Sequence, residues 1–361
     1  MIEENEKEWS NIERWLAQGA SFALYRMPQD DVCHGLMQNG AVEQLENISL
    51  LNGKAGFVFA PFRIDFQNPL LLLKPEERIC FSLKAEQDFD RTITEEVSPL
   101  SESYSACFAS FLQELCEGEC RKLVLSRRAR IGREEGFSVL RAFRAACCRF
   151  EFSYVYLFYT PETGFWLGCT PEILLSGGQG AYHTVALAGT QSLQQGKLPQ
   201  QWDDKNRAEQ NYVTEYILSQ LARKGICAEK NGPYPVRAGA LAHLKTDVHF
   251  ALAAGEGLGD LLKLLHPTPA VCGVPKEKAF QFILEHETTP RTYYTGFLGW
   301  LDPQGQTDLY VNLRCMQMLP DAFVLYAGGG ILSSSQVEDE WQETEKKMGT
   351  MRFVVHHGYA K

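Results

Sequence analysis

Five stretches of the chain hold the residues best suited to chemistry. The first is "RKLVLSRRARI", residues 121 to 131, an apolar run in which five of eleven residues are basic. Read with a strand's period of two, Lys122, Val124 and Ser126 share one face, and Leu123 and Leu125 share the other with Arg121 and Arg127. Lys122 is then the lone charge in the middle of its face. Such a lysine either runs its stem out to solvent or is desolvated enough to work as a general base. In the second stretch, Glu209, Val213, Ile217 and Leu221 form a single helical stripe. A glutamate at the head of that stripe is paired, holds a cation, or sits in a solvated first turn where the helix dipole favours it. In the third, Glu340, Glu343 and Lys347 lie on one helical face, which by spacing alone reads as an exposed Glu–Lys pair. The fourth, "AGGGI" (327–331), reads as a strand leaving into a tight turn with bare N–H groups, of the kind that can bind anions. The fifth is "DLYVNLRCM", where Arg314 stands on an otherwise apolar strand and needs a carboxylate from the protein or a ligand. Together they describe an acidic pair for a divalent cation, donors for carboxylates and a lysine that could take a proton. Oxygen-only ligands suit Mg²⁺. The histidines are dispersed, without zinc spacing, and His266, ahead of two prolines, is the one candidate among them.

These residues need elements to bring them together. Residues 1 to about 100 alternate short apolar runs with turn signals and suggest strands. "YSACFASFLQELCEG" then has helical spacing at Phe108, Phe111, Leu112 and Leu115. A helix around "FSVLRAFRAACCRF" and a strand pair turning at "PETG" follow, and the polar tract 191–205 is a candidate mobile loop. Next come the Glu209 helix, ended by Gly225, the loop "HPTPAVCGVP", a helix "KEKAFQFILEHE", three more strands and a closing helix. Strands come in antiparallel-looking runs, with no Rossmann glycine pattern, no repeat and no splitting linker. The expected class is α+β, large antiparallel sheets flanked by helices.

Composition narrows the function. The 361 residues carry a formal charge of −10, which argues against a nucleic-acid binder. Eleven cysteines without a CxxC pair read as reduced, mostly buried thiols. The acidic "MIEENEKEWSNIERW" lacks an apolar signal core, and no apolar run approaches a membrane span. A cytoplasmic protein with no membrane association is expected.

In order along the chain, "KLVLSR", "GCTPEILL", "ALAGT", "KNRAEQNYV", "LHPTPAVCGVP", "YYTGFLGW", "VNLRC", "AGGGI" and "EWQETEKK" resemble the chorismate-utilising enzymes, and within them the isochorismate synthase branch. The match runs from about residue 104 to the end. The resemblance implies one chorismate-binding domain over 1–361, with 1–100 its variable portion and 104–361 its motif-bearing portion. It implies roles as well. Lys122 would be the general base that activates water, and Glu172 the acid that protonates the departing hydroxyl. Glu209 and Glu343 would hold Mg²⁺. Arg314, Lys347 and the amides of Gly329 and Gly330 would grip substrate carboxylates, Gly189 and Thr190 would line the pocket, and His266 joins the substrate-binding set. The implied reaction adds water at C2 of chorismate while the C4 hydroxyl leaves. Lys122, near the metal and without a carboxylate partner, should then have a lowered pKa. The arginines around it would be mostly surface.

The branches of this family differ in nucleophile. Anthranilate synthases typically carry glutamine at the Lys122 position, and aminodeoxychorismate synthases a lysine where Ala188 stands, so Lys122 with "ALAGT" favours water over ammonia. No glutaminase subunit is expected, and the chain should be a monomer or weak homodimer. The product would feed menaquinone or a catecholate siderophore. The rivals are a salicylate synthase, an aminating synthase and a non-catalytic binding protein of the same fold. Departures from the family pattern are small: Gly329 stands where alanine is common, Cys169 at a usually small position, and "RTYYTG" lacks a glycine after its arginine.

Overall fold

The computed structural model describes residues 2–83, 98–194, 196–238, 241–253 and 257–359. Among these, eighteen strands form two antiparallel sheets of nine. The first sheet runs Gly273–Val274, Lys122–Gly132, Ala322–Ile331, Cys315–Met318, Gly164–Thr170, Tyr154–Thr160, Ser21–Arg26, Val32–Gln38, Glu77–Ser82. The second runs Ala228–Ala238, Leu241–Ala251, Ala181–Ser192, Ile173–Gly178, Gln306–Val311, Phe297–Leu301, Gly56–Ala60, Leu70–Leu73, Glu43–Leu45.

The sheets face each other across a layer of rings. Phe57, Phe59, Tyr154, Tyr156, Phe158, Trp166, Tyr310 and Tyr326 are buried there. Phe59 stacks on Phe158 at 4.3 Å and Tyr154 on Tyr310 at 4.3 Å. Aromatic and β-branched residues on alternating positions suit facing pleated surfaces, which is why these segments are strands. Helices cover the outer faces. Ile2–Gln18, Val139–Arg149 and Val337–Gly358 pack on the first sheet, and Asp204–Arg223 and Leu258–Leu265 on the second. Helices Glu102–Glu117 and Lys276–His286 close the edge beside Leu123, Leu125 and Ile331. This is the α+β sandwich expected.

Two local expectations change. The first hundred residues hold strands but begin with helix Ile2–Gln18, whose Ile12 and Trp15 are fully buried at a spacing of three. "AGGGI" is no turn: residues 327–331 complete a strand paired along its whole length with Lys122–Gly132, Gly330 opposite Val124. The polar tract 191–205 is partly anchored, because Trp202 packs on Ala242 and Leu244; residue 195 of it lies outside the described residues. All eleven cysteines are unpaired. No described helix is long and apolar enough to cross a membrane.

Candidate active site

The site forms where the chain crosses between sheets. Glu172 lies in the short link from Gly164–Thr170 of the first sheet to Ile173–Gly178 of the second. Arg314 lies in the return link, residues 312–314, from Gln306–Val311 to Cys315–Met318. The two links are bonded together: Val311 N donates to Glu172 O at 2.9 Å, Thr170 Oγ1 to Val311 O at 2.6 Å, and Cys169 N to Arg314 O at 3.0 Å. Arg314 holds φ +48°, a left-handed conformation that a non-glycine residue keeps only where its surroundings dictate it. The fold thus presents an acid and a cation side by side.

A cavity opens at these links. Glu172, Gly189, Thr190, Glu209, Arg314, Gly330 and Lys347 all line it, together with an apolar wall that includes Leu187, Val271, Tyr294 and Leu313. Burial drives the Glu172 pKa up to about 8, against the pull of Lys122, Thr268, Lys347 and Arg314. Its carboxyl therefore carries a proton at neutral pH and can give it away. Arg314 is buried, and no carboxylate of a described residue stands at ion-pair distance from it.

Lys122 is fully buried behind this wall. Its stem does not run to solvent, and it does have a carboxylate partner: Nζ lies 3.1 Å from Glu209 Oε1. The contact is an ion pair without hydrogen-bond alignment, since Nζ has no directed acceptor. The expectation of an unpartnered lysine fails because the strand's first residue meets the first turns of the Glu209 helix. The neighbouring arginines are mostly surface, as expected: Arg121, Arg128 and Arg130 are exposed, whereas Arg127 is drawn in to pair with Glu345 and to lie over the Trp341 ring.

The glycines explain the close approach of the acids. A Cβ on Gly330 would overlap Glu209 Oε1 and lie 3.2 Å from Lys122 Cε. On Gly329 it would meet Glu340 Oε2 at 2.9 Å and Glu343 Oε1 at 3.7 Å, on the other face of the strand. Val124 N turns away to Cys272 O, so by antiparallel alternation the Leu125–Gly329 pair is the bonded one. The Gly329 amide is spent in the ladder, whereas the Gly330 amide points past the end of the neighbouring strand Cys315–Met318.

On the closing helix the Glu343–Lys347 pair is no exposed couple. Lys347 Nζ contacts Glu343 Oε1 at 2.7 Å and donates to Gly328 O at 2.8 Å, with both side chains mostly covered. Burial raises the Glu343 carboxyl, but Lys347 and then Lys205 and Arg314 outweigh it and hold the pKa below the usual value. Glu340 is pushed up to about 7 by burial and the Glu343 charge, with Lys205 Nζ 2.5 Å from its Oε1. Burial disfavours the Lys205 charge, yet Glu340, Glu343 and Glu209 together hold its pKa up. The three acids thus form one field, each with its own lysine. Glu340 Oε2 is buried without a partner.

That donor set bears on a metal. No described group of three or more acidic, histidine or cysteine residues is arranged to enclose an ion. An open site of two carboxylates completed by water and ligand oxygens is nevertheless what Mg²⁺ takes, and the chemistry of Glu209 and Glu343, whose charges both act on Lys205, suits it. His266 falls elsewhere. It is buried edge-on to Phe297 at 5.1 Å, its carbonyl accepts from Lys276, and it is absent from the cavity lining.

Residues 72–356 match the family model described as chorismate binding enzyme. The chain belongs to that family. Among chorismate binding enzymes it is 36% identical over 194 residues to the salicylate biosynthesis isochorismate synthase of Pseudomonas aeruginosa, covering 52% of this chain and 41% of that protein. It is 32% identical over 250 residues to the isochorismate synthase MenF of Escherichia coli, covering 67% of this chain and 57% of the relative. The chain thus spans about half the length of these curated relatives. The solved structure of Escherichia coli MenF superposes with a TM-score of 0.75 at 23% identity over 94% of this chain and 90% of that one, which shows the shared fold.

Within this chorismate-binding frame, the sequence reading missed His243, which lines the cavity and bonds to Arg314. It missed Lys205 too, which faces Glu340. His243 sits in "LAHLKT" on an alternating strand with nothing unusual around it. For Lys205 a signal existed: it stands four residues before Glu209, on the same helical face.

Proposed function

We propose that the protein is an isochorismate synthase, converting chorismate to isochorismate with Mg²⁺. The observation that carries the proposal is Glu172: a carboxyl with a pKa of about 8, facing a cavity whose Arg314 has no carboxylate of a described residue at ion-pair distance. A ligand that brings carboxylates and needs a proton at a leaving oxygen fits both. Chorismate is a dicarboxylate with such a hydroxyl. Arg314, Lys347 and the Gly330 amide would receive its carboxylates, local cations that a chain of net charge −10 must supply at the site. Leu187, Leu313, Tyr294 and Val271 would flank the ring.

Water loses a proton to the Lys122 amine as its oxygen bonds to C2. The ring double bonds shift, and the C4–O bond breaks. Glu172 gives its proton to that oxygen, which leaves as water. One proton is taken and one released, so the conversion is an isomerisation. Lys122 must first leave its ion pair with Glu209 and give up its ammonium proton to solvent, so that the amine is free to act as the base. Glu209 and Glu343 would hold Mg²⁺, which when bound would supply positive charge to offset the substrate's carboxylates and help to orient it. The product would feed menaquinone or a catecholate siderophore in the cytoplasm, with no glutaminase partner and the chain as a monomer or weak homodimer.

The test is incubation of purified protein with chorismate and Mg²⁺, followed by chromatography. Isochorismate is expected. Salicylate formed without a second enzyme would make it a salicylate synthase, an ammonia-derived product an aminating synthase, and unconsumed chorismate would end the proposal.

A further inference from the structure

Arg314 is held by a histidine. His243 lies on strand Leu241–Ala251 and is buried in the cavity wall. Arg314 Nη2 stands 3.1 Å from His243 Nε2, and His243 Nδ1 stands 3.1 Å from Gly189 O and 3.3 Å from Thr190 Oγ1. A guanidinium has no acceptor, so Nε2 must accept and cannot carry a proton. The proton of the neutral ring is then on Nδ1, donated to the Gly189 carbonyl. That carbonyl is itself fixed. Gly189 is the bulged residue of its strand, with φ +75° and its ladder shifted between Ala188 and Thr190. Thr190 N bonds to Asn206 Oδ1 at 2.7 Å.

We infer that His243 is a positioning residue, a neutral strut protonated on Nδ1 that holds the Arg314 guanidinium ready for a substrate carboxylate. The inference rests on reading the cavity as a chorismate site. Its physical logic lies in the alternatives open to Arg314, which has the carboxyl groups of Glu343 and Glu172 in its surroundings. Swung onto either, it would be neutralised and would disturb an acid the reaction needs. A carboxylate strut would neutralise it as well. An imidazole nitrogen satisfies one donor and leaves the positive charge whole. Burial, with Arg314 and Lys347 nearby, keeps the His243 pKa well below its usual value, so the acceptor persists at working pH.

Two isosteres separate the ring's functions. In His243→Gln the amide oxygen reaches the Nε2 position and still accepts from Arg314. In His243→Asn the amide nitrogen reaches the Nδ1 position, keeps the bond to Gly189 O and abandons Arg314. The expected result is a KM for chorismate raised about tenfold or more in His243→Asn, the scale of a lost bond to a charged group. Its kcat should stay within a few-fold, and His243→Gln should stay close to wild type in both. Equal losses in the two variants, or a loss confined to kcat, would overturn the inference. A second measurement is independent of turnover. In nitrogen-15 NMR of histidine-labelled protein, the ring signal lost in His243→Gln should be that of a neutral ring protonated on Nδ1 and unchanged from pH 5.5 to 9. If the signal lost in that variant belongs to a ring protonated on Nε2, or to one that titrates in that range, the inference is overturned. If wild-type protein leaves chorismate untouched, the functional proposal fails and the NMR result still judges the strut.

Discussion

Replacing Gly330 with alanine should disable the site while leaving the fold standing. Gly330 has no left-handed backbone requirement, so alanine fits the strand without torsional strain. The added Cβ, however, would lie 2.8 Å from Glu209 Cδ and 3.2 Å from Lys122 Cε, where carbon atoms normally keep about 3.5–4.0 Å. The Glu209 carboxylate must therefore retreat by about 1 Å. The obstacle is the end of a flexible side chain, so the stability loss should fall near the low end of the roughly 1–3 kcal/mol that overpacking costs. A displacement of about 1 Å at a reacting centre can cost on the order of 100-fold in rate. Chorismate consumption followed across a Mg²⁺ titration should show kcat/KM down by about that factor and a half-saturating Mg²⁺ raised about tenfold, with a melting temperature within a few degrees of wild type. Gly329→Ala is the control, because its Cβ would meet Glu340 on the other face of the strand; it should disturb the titration less. Wild-type rate and titration in Gly330→Ala would refute the placement of Glu209 as a metal ligand beside Lys122.

Glu172 should impose the alkaline limb of the activity profile. With a pKa of about 8, it holds its proton below that pH and loses it above, so kcat/KM should fall as pH rises through about 8. Glu172→Gln should lose most activity together with that limb, and an unchanged limb would assign it to another group. Glu343→Gln should raise the Mg²⁺ requirement sharply in the same titration, and an unchanged curve would put the metal elsewhere. Arg127 pairs with Glu345 where both are nearly covered, and Arg352 also reaches Glu345 at 2.8 Å. Arg127→Met should cost about 3 kcal/mol in chemical denaturation, the low end for breaking a buried pair because Arg352 remains. Burial raises the Glu345 carboxyl, but Arg127, Ser98 and Arg352 bring its pKa below the usual value. Its contribution is therefore present above the unfolded carboxylate pKa and lost as pH falls through the folded one. The wild-type advantage over Arg127→Met should shrink in acid, and a constant gap would show that the pair is not its source.

Much of the fold was legible. The helix heading from Glu209 into Val213, Ile217 and Leu221 buries those three apolar side chains, because i, i+4 spacing leaves one face for the core. The N-terminal helix escaped because Ile12 and Trp15 sit among charges that mask their period. "AGGGI" escaped for a different reason. Three glycines in a row read locally as a turn, but here they are the price of two acids lying against opposite faces of a strand.

Residue types, spacing and order were enough to nominate Lys122, Glu172, Glu209, Arg314, Glu343 and Lys347, since each is a charge where its own segment would otherwise be apolar or a member of an ordered motif. What they pair with was a matter for the tertiary structure. Lys122 meets Glu209, 87 positions further along the chain, and Arg314 meets His243, 71 positions back. No local pattern records such meetings. They arise because two of the crossovers between the sheets, the ends of two strands and two helices converge on one cavity. Burial then does what sequence cannot announce: it raises one carboxyl enough to carry a proton and leaves one guanidinium waiting for an anion.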